Sequence, residues 1–168
     1  MANDSVPGEF IPFRFRVTLF DSEKMDQQLC QGAFSEVSGL EASMTPKTHK
    51  EGGRNWGEVQ LSGPTTFPPV ILKRGITDID HLWNWFETTT RSANYGLRYS
   101  GVIDVFHPSQ SFDEQPALSW HLINVLPTKF KGPDLSATAT QVAVEELHLV
   151  HEGLTLERPT PQQTGTTP

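Results

Sequence analysis

The sequence predicts a mainly β protein, a β-barrel or two-sheet antiparallel sandwich carrying one flanking α-helix and one long exposed hairpin. Three observations point there. Short runs alternate apolar and polar residues with a period of two, as half-buried strands do. Thirteen glycines and thirteen prolines in 168 residues punctuate the chain too often for long helices. Only one segment shows helical spacing of its apolar residues.

The elements follow in order. Residues 1–9 are polar, contain Pro7 and Gly8, and read as a flexible leader to a domain spanning 10–156. Phe13, Phe15, Val17 and Leu19 alternate with Arg14, Arg16 and Thr18, which predicts the first strand. Residues 21–32 keep no period and are expected to be a connecting loop. Phe34, Val37 and Leu40 suggest a second strand, bent or bulged at Ser38-Gly39.

The stretch 43–66 is almost free of aliphatic residues at its centre, Lys47, Thr48, His49, Lys50, Glu51, Gly52, Gly53, Arg54, Asn55 and Trp56. The Gly-Gly pair supplies positive φ without steric cost, so the segment is expected to form a hairpin turning near Gly52 and Gly53. Such a hairpin has no core of its own to fill. A tryptophan near its tip is the kind of residue that anchors an interface.

Val70 to Gly75 reads as a strand. A helix is expected over about 78–91, capped by Thr77 with Asp80 three residues on, its packing stripe formed by Ile79, Leu82, Trp83 and Phe86. In this reading Trp85 covers a neighbouring surface. Val102 to Phe106 and Leu118 to Val125 are further strands, joined by a polar connection at 108–116 and with the second ending before Pro127. In the run 138–150, Val142 and Val144 share one parity and Leu147 and Leu149 the other. A bulge at Glu145-Glu146, or a strand that leaves one sheet for another, would reconcile them. Residues 157–168, rich in Pro and Thr, are expected to be a disordered tail.

Composition bounds the function. One cysteine, Cys30, excludes an internal disulfide framework. The net charge of −7 argues against specific nucleic-acid binding through a broad basic face. Residues 1–75 carry eight basic and nine acidic side chains, so most of the negative balance lies in the second half. The local basic excess of Lys47, Lys50 and Arg54 fits salt bridges to an acidic surface on another subunit. No stretch reaches the roughly 20 apolar residues of a membrane span, so no membrane anchoring is expected.

Reactive constellations are sparse, and no catalytic, cofactor-binding or metal-binding residue is nominated. His148 and His151 are three apart, which on a strand sends them to opposite faces and makes chelation by the pair a poor fit. Glu145 and Glu146 diverge for the same reason. Gly52-Gly53 lacks the spacing of a phosphate-binding loop.

Several motifs taken in order resemble the inner tube proteins of contractile phage tails and of extracellular contractile injection systems. They are Phe34-Ser35-Glu36-Val37-Ser38-Gly39-Leu40-Glu41, Lys50-Glu51-Gly52-Gly53 and Leu72-Lys73-Arg74-Gly75 ahead of the helix with Trp83 and Trp85. Trp120, Asn124, Pro127 and Lys129 follow, and then Val144-Glu145-Glu146-Leu147 continuing to His151-Glu152-Gly153-Leu154. The resemblance spans about 13–154. It implies a non-enzymatic subunit, related in fold to the ring protein of type VI secretion, that forms homo-hexameric rings stacked into a tube. The implied partners are a contractile sheath, baseplate or spike adaptor and terminal cap proteins, and a tape-measure protein or cargo in the lumen. The implied setting is synthesis in the cytoplasm and assembly into a phage tail or an injection particle that can be released from the cell.

Residues 47–56 of the hairpin, excepting Thr48 and His49, become the inter-subunit or inter-ring contact in this reading. The competing reading from the residues alone is a monomeric β-sandwich that stacks a carbohydrate or peptide on Trp56 or Trp85. Metal-dependent hydrolysis through His148 is a third.

Overall fold

The computed structural model describes residues 14–21, 28–32, 34–75, 80–91, 98–133 and 143–158. The expected leader at 1–9, the helix start with Thr77 and Ile79, Val142 of the run 138–150, and all of the expected tail at 157–168 except Glu157 and Arg158 lie outside them; Glu157 ends the last strand and is not part of a disordered tail. The elements are β1 (Phe15–Asp21), β2 (Gln28–Gly32), β3 (Glu36–Ser38), β4 (Ser43–Met44), β5 (Lys47–His49), β6 (Val59–Leu61), β7 (Thr65–Thr66) and β8 (Val70–Gly75). Then come α1 (His81–Arg91), β9 (Tyr99–Val105), β10 (Leu118–Lys131), β11 (Val144–Val150) and β12 (Gly153–Glu157).

The main strands pair antiparallel in the order β2-β1-β9-β10-β11-β8-β3, with β12 added to β10. β10 is the pivot. Its first half, Ser119–Ile123, lies between β9 and β12, whereas Leu126–Lys131 pairs with β11. The change of partner falls where the register shifts between Leu122 and Val125, and Asn124 there has φ 54°. Asparagine tolerates this left-handed backbone better than most side chains. Asn124 Nδ2 donates to Glu152 Oε2 at 2.7 Å and the Glu152 amide donates to the Ile123 carbonyl at 2.9 Å, tying the corner to the β11–β12 turn.

Both halves cover one apolar core. Val17 and Leu19, Val70 and Leu72, Ile103, Leu122 and Val125, and Leu147 and Leu149 form it with Leu82 and Trp85 from the helix. The period-two pattern places these side chains on one face of β1, β8 and β11, and in β10 the register shift between Leu122 and Val125 brings both to the core.

Several elements differ from expectation. The expected loop 21–32 contains β2, whose pairing with β1 supplies an order that its irregular hydropathy does not signal. β10 does not stop before Pro127 but runs through it. Proline lacks the N–H a central strand must donate, and it is tolerated because this half of β10 is paired on one side alone among the described residues. The shifted parity near Glu145-Glu146 needs no bulge, since β11 pairs residue for residue with β8 from Val144 to Leu149. Val144 is simply on the outer face, 36% exposed. A strand does serve two partner sets, but it is β10.

The helix buries Leu82, Trp85 and Thr89, which fall at i, i+3 and i+7. The expected stripe is therefore turned: Trp85 is 2% exposed and meets Tyr99 edge-on at 4.8 Å, while Trp83 is 45% exposed. Trp83 lies on the flank against Phe130 at 5.3 Å and Phe86 at 5.9 Å. The Thr89 hydroxyl satisfies itself on the Trp85 carbonyl at 2.9 Å, so a polar residue can sit on the buried face.

On the outer face, Arg16 pairs with Asp104 at 3.0 Å, and Ser119 donates to the same carboxylate at 2.6 Å. Arg16 also donates to the Phe112 carbonyl at 2.9 Å and Arg14 to that of Pro108 at 3.0 Å. These bonds hold the polar 106–117 connection against the sheet.

Candidate functional site

The hairpin over 43–66 forms as two short ladders. Ser43 and Met44 pair with Thr66 and Thr65, and Lys47, Thr48 and His49 pair with Leu61, Gln60 and Val59. The two registers differ by one residue. Between them Gly63 passes so close to the opposite strand that a Cβ there would lie 1.8 Å from the Thr45 carbonyl oxygen. At the foot of the segment Gly39 has φ 84°, and its added Cβ would come within 2.2 Å of the Pro69 carbonyl oxygen. Glycine is required at both places by backbone approach.

The tip is shaped by backbone rather than by side-chain packing. Gly53 and Gly57 have φ of 87° and 94°, and the Arg54 amide donates to the Glu51 carbonyl at 3.3 Å. Lys50 reaches Glu58 at 3.5 Å and Arg54 reaches Glu51 at 3.6 Å, exposed pairs that contribute about 0–1 kcal/mol each. Lys47 forms no ion pair among the described residues. Gly52 and Asn55 complete the exposed turn, and Trp56 is 95% exposed.

With Met44 and Leu61 each near half-exposed, the hairpin presents apolar surface that no described residue covers. All eight expected hairpin residues thus fall on one exposed projection. Sequence reading did not single out Gly57, Met44 or Leu61. The Gly57 positive φ has a trace in the Trp-Gly step, whereas the two aliphatic residues are isolated among polar ones.

The other sequence candidates separate. Glu145 pairs with Arg74 on the core side of β11 and β8, while Glu146 faces outward beside His148 at 3.5 Å and Lys131 at 3.9 Å. His151 is buried, its ring 5.1 Å from Phe67 and its Nδ1 2.9 Å from the Gly153 carbonyl oxygen. No group of three metal-ligating side chains gathers among the described residues. Trp85, offered as a stacking platform in the carbohydrate reading, is inside the core.

A second surface was not singled out from sequence. Glu36, Lys73, Glu146 and Lys131 stand opposite one another across β3, β8, β11 and β10. Lys73 Nζ lies 2.9 Å from Glu36 Oε1, and that hydrogen bond, with the charges of Glu36 and Glu146, outweighs partial desolvation and raises the lysine above its usual pKa. The signal in the sequence is faint: each strand holds one or two such charges, and their alignment exists only in the sheet.

Solved structures share this architecture. A chain of the anti-feeding prophage baseplate superposes with TM-score 0.77 at 22% identity, covering 91% of this chain and 98% of that one. A chain of the PVC sheath-tube complex of an extracellular contractile injection system in the extended state gives 0.74 at 20% identity, covering 92% and 95%. Hcp1 from Flavobacterium johnsoniae is more distant, with TM-score 0.51 at 11% identity over 86% and 96%. These likenesses establish a common fold. No curated protein matches the sequence. The family model described as T4-like virus tail tube protein gp19 matches residues 11–155, and the chain therefore belongs to the T4-like tail tube protein family.

Proposed function

We propose that this tail tube protein is a structural subunit of the inner tube of a contractile injection machine, a phage tail or a phage-tail-like particle. Six copies close a ring, strands joining across subunits, and rings stack into a tube whose channel passes cargo or DNA. Contraction of a surrounding sheath drives the tube through the target envelope. The mechanical work comes from the sheath, so the chain supplies stiffness and a channel rather than catalysis.

The observation that carries this reading is the hairpin: a projection exposed on all sides, shaped by obligatory glycines and tipped by a tryptophan 95% exposed. Such surface is explained by a partner chain. The eight hairpin residues Lys47, Lys50, Glu51, Gly52, Gly53, Arg54, Asn55 and Trp56 then make contacts to the next subunit or ring. Further partners are the sheath protein, baseplate or spike adaptor and cap proteins, and a tape-measure protein or cargo in the lumen. The chain is made in the cytoplasm and, in an injection particle, released from the cell.

Electron microscopy of the purified full chain, with and without its sheath and baseplate partners, tests the proposal. Rings and tubes of constant bore are expected. A strictly monomeric particle that never enters a tube overturns it.

A further inference from the structure

Three rows of side chains run without a register break across β3, β8, β11 and the end of β10. The outer row is Glu36, Lys73, Glu146, Lys131; the next, on the core side, is Val37, Leu72, Leu147, Phe130; the third is Ser38, Ile71, His148, Lys129. The outer row alternates in sign and ends with an acid on β3 and a base on β10. The inner members are the more covered, Lys73 and Glu146 with side chains 30% and 24% exposed, against 52% for Glu36 and 46% for Lys131. The apolar row behaves alike: Leu72 and Leu147 are buried, while Val37 and Phe130 at its two ends are partly covered.

Both rows therefore end at strand edges that are open among the described residues. Among the described residues, β3 pairs with β8 alone, and Leu126–Lys131 pairs with β11 alone. Four antiparallel strands make the two outer ones run in opposite directions. A second copy placed side by side in the same orientation would present its β10 antiparallel to β3, with no inversion of the molecule. In that register Glu36 faces Lys131, Val37 faces Phe130 and Ser38 faces Lys129. Polar side chains then meet polar ones on the outer face and Val37 meets Phe130 on the core side, and the half-exposed Trp83 beside Phe130 lies at the same seam.

We infer that Glu36 and Lys131 of neighbouring copies form the ion pair that sets register and direction at the seam between subunits. The inference rests on the ring reading above and goes beyond it by naming the specificity-determining pair. A row ending in opposite signs accepts head-to-tail neighbours, which close rings, and resists a two-fold pairing that brings Glu36 against Glu36.

Cross-linking tests the pair directly. In a full-length Cys30→Ser background, Glu36→Cys and Lys131→Cys together are expected to give, on oxidation of assembled rings, covalent oligomers up to the closed ring. Either cysteine alone is expected to give none. Directly opposed antiparallel positions lie within disulfide reach.

The second measurement inverts the whole row, Glu36→Lys, Lys73→Glu, Glu146→Lys and Lys131→Glu, which keeps each pairing between neighbours along the row attractive. The inverted chain is expected to form rings alone, yet to be depleted at least about tenfold from mixed rings with the original chain, because each mixed seam opposes like charges. Rings that form without cross-links, or random mixing of the two chains, overturn the pair while leaving the tube reading intact. Failure of the unaltered chain to form rings overturns the tube reading instead.

Discussion

Arg74 and Glu145 stand opposite each other on β8 and β11 and pair on the core side of the sheet, while their sequence neighbours Lys73 and Glu146 face each other on the outside. Adjacent charges thus do different work because a strand sends successive side chains to opposite faces. The inner pair is almost fully covered, with side chains 7% and 13% exposed. Removing one partner leaves the other charge desolvated and uncompensated. Glu145→Ala is expected to lower stability by about 3–5 kcal/mol in urea unfolding. Replacing both partners by apolar residues of similar volume is expected to restore most of the loss.

Trp83 and Trp85 should respond oppositely to truncation. Trp85 lies in the core against Tyr99, so Trp85→Ala is expected to cost about 3–5 kcal/mol. Trp83→Ala removes a half-exposed ring and is expected to cost about 1 kcal/mol in the isolated chain. Equal losses in thermal or urea denaturation would contradict the observed orientation of the helix.

Trp56→Ala should separate folding from assembly. At 95% exposure the indole contributes little to the isolated fold, and the change in stability is expected within about 0.5 kcal/mol. Tube yield by electron microscopy is expected to fall sharply, as it should on removal of residues 47–55. Full-length tubes from these variants would show that the hairpin is not a contact.

Gly39→Ala and Gly63→Ala probe the two backbone approaches. At Gly39 the methyl group meets both a left-handed φ and the Pro69 carbonyl, and a loss of about 1–3 kcal/mol is expected. Gly63→Ala distorts a segment that contributes no buried core residue among the described ones, so it is expected to change proteolytic sensitivity within 43–66 more than the global unfolding midpoint.

The parts of the fold that were legible in the sequence are those where hydropathy alternates. Val17 and Leu19, Val70 and Leu72, and Leu147 and Leu149 carry one face of their strands into the core, and the absence of aliphatic residues around Gly52-Gly53 marks the projecting hairpin. Where the reading failed, long-range pairing outweighed local signals. β2 is ordered by β1, and β10 continues past Pro127 because its partner on one side suffices. The helix misled through its two tryptophans: Trp83 continues an i, i+1, i+4 stripe with Leu82 and Phe86, but Trp85 is the one that packs on Tyr99 at the start of the next strand. The aligned charges from Glu36 to Lys131 could not be read, because members of the row lie as far apart in sequence as the 110 positions between Glu36 and Glu146.

The turn of β10 at Asn124 has a mechanical consequence. One unbroken backbone belongs to both groups of strands, pairing with β9 and β12 before the corner and with β11 after it. Tension applied to one group passes to the other along covalent bonds, whereas a joint made of two separate strands would rest on hydrogen bonds and packing. A wall built of such subunits resists shear within each subunit more than between subunits, so under excessive thrust the fracture should follow the seams and leave the individual chains folded.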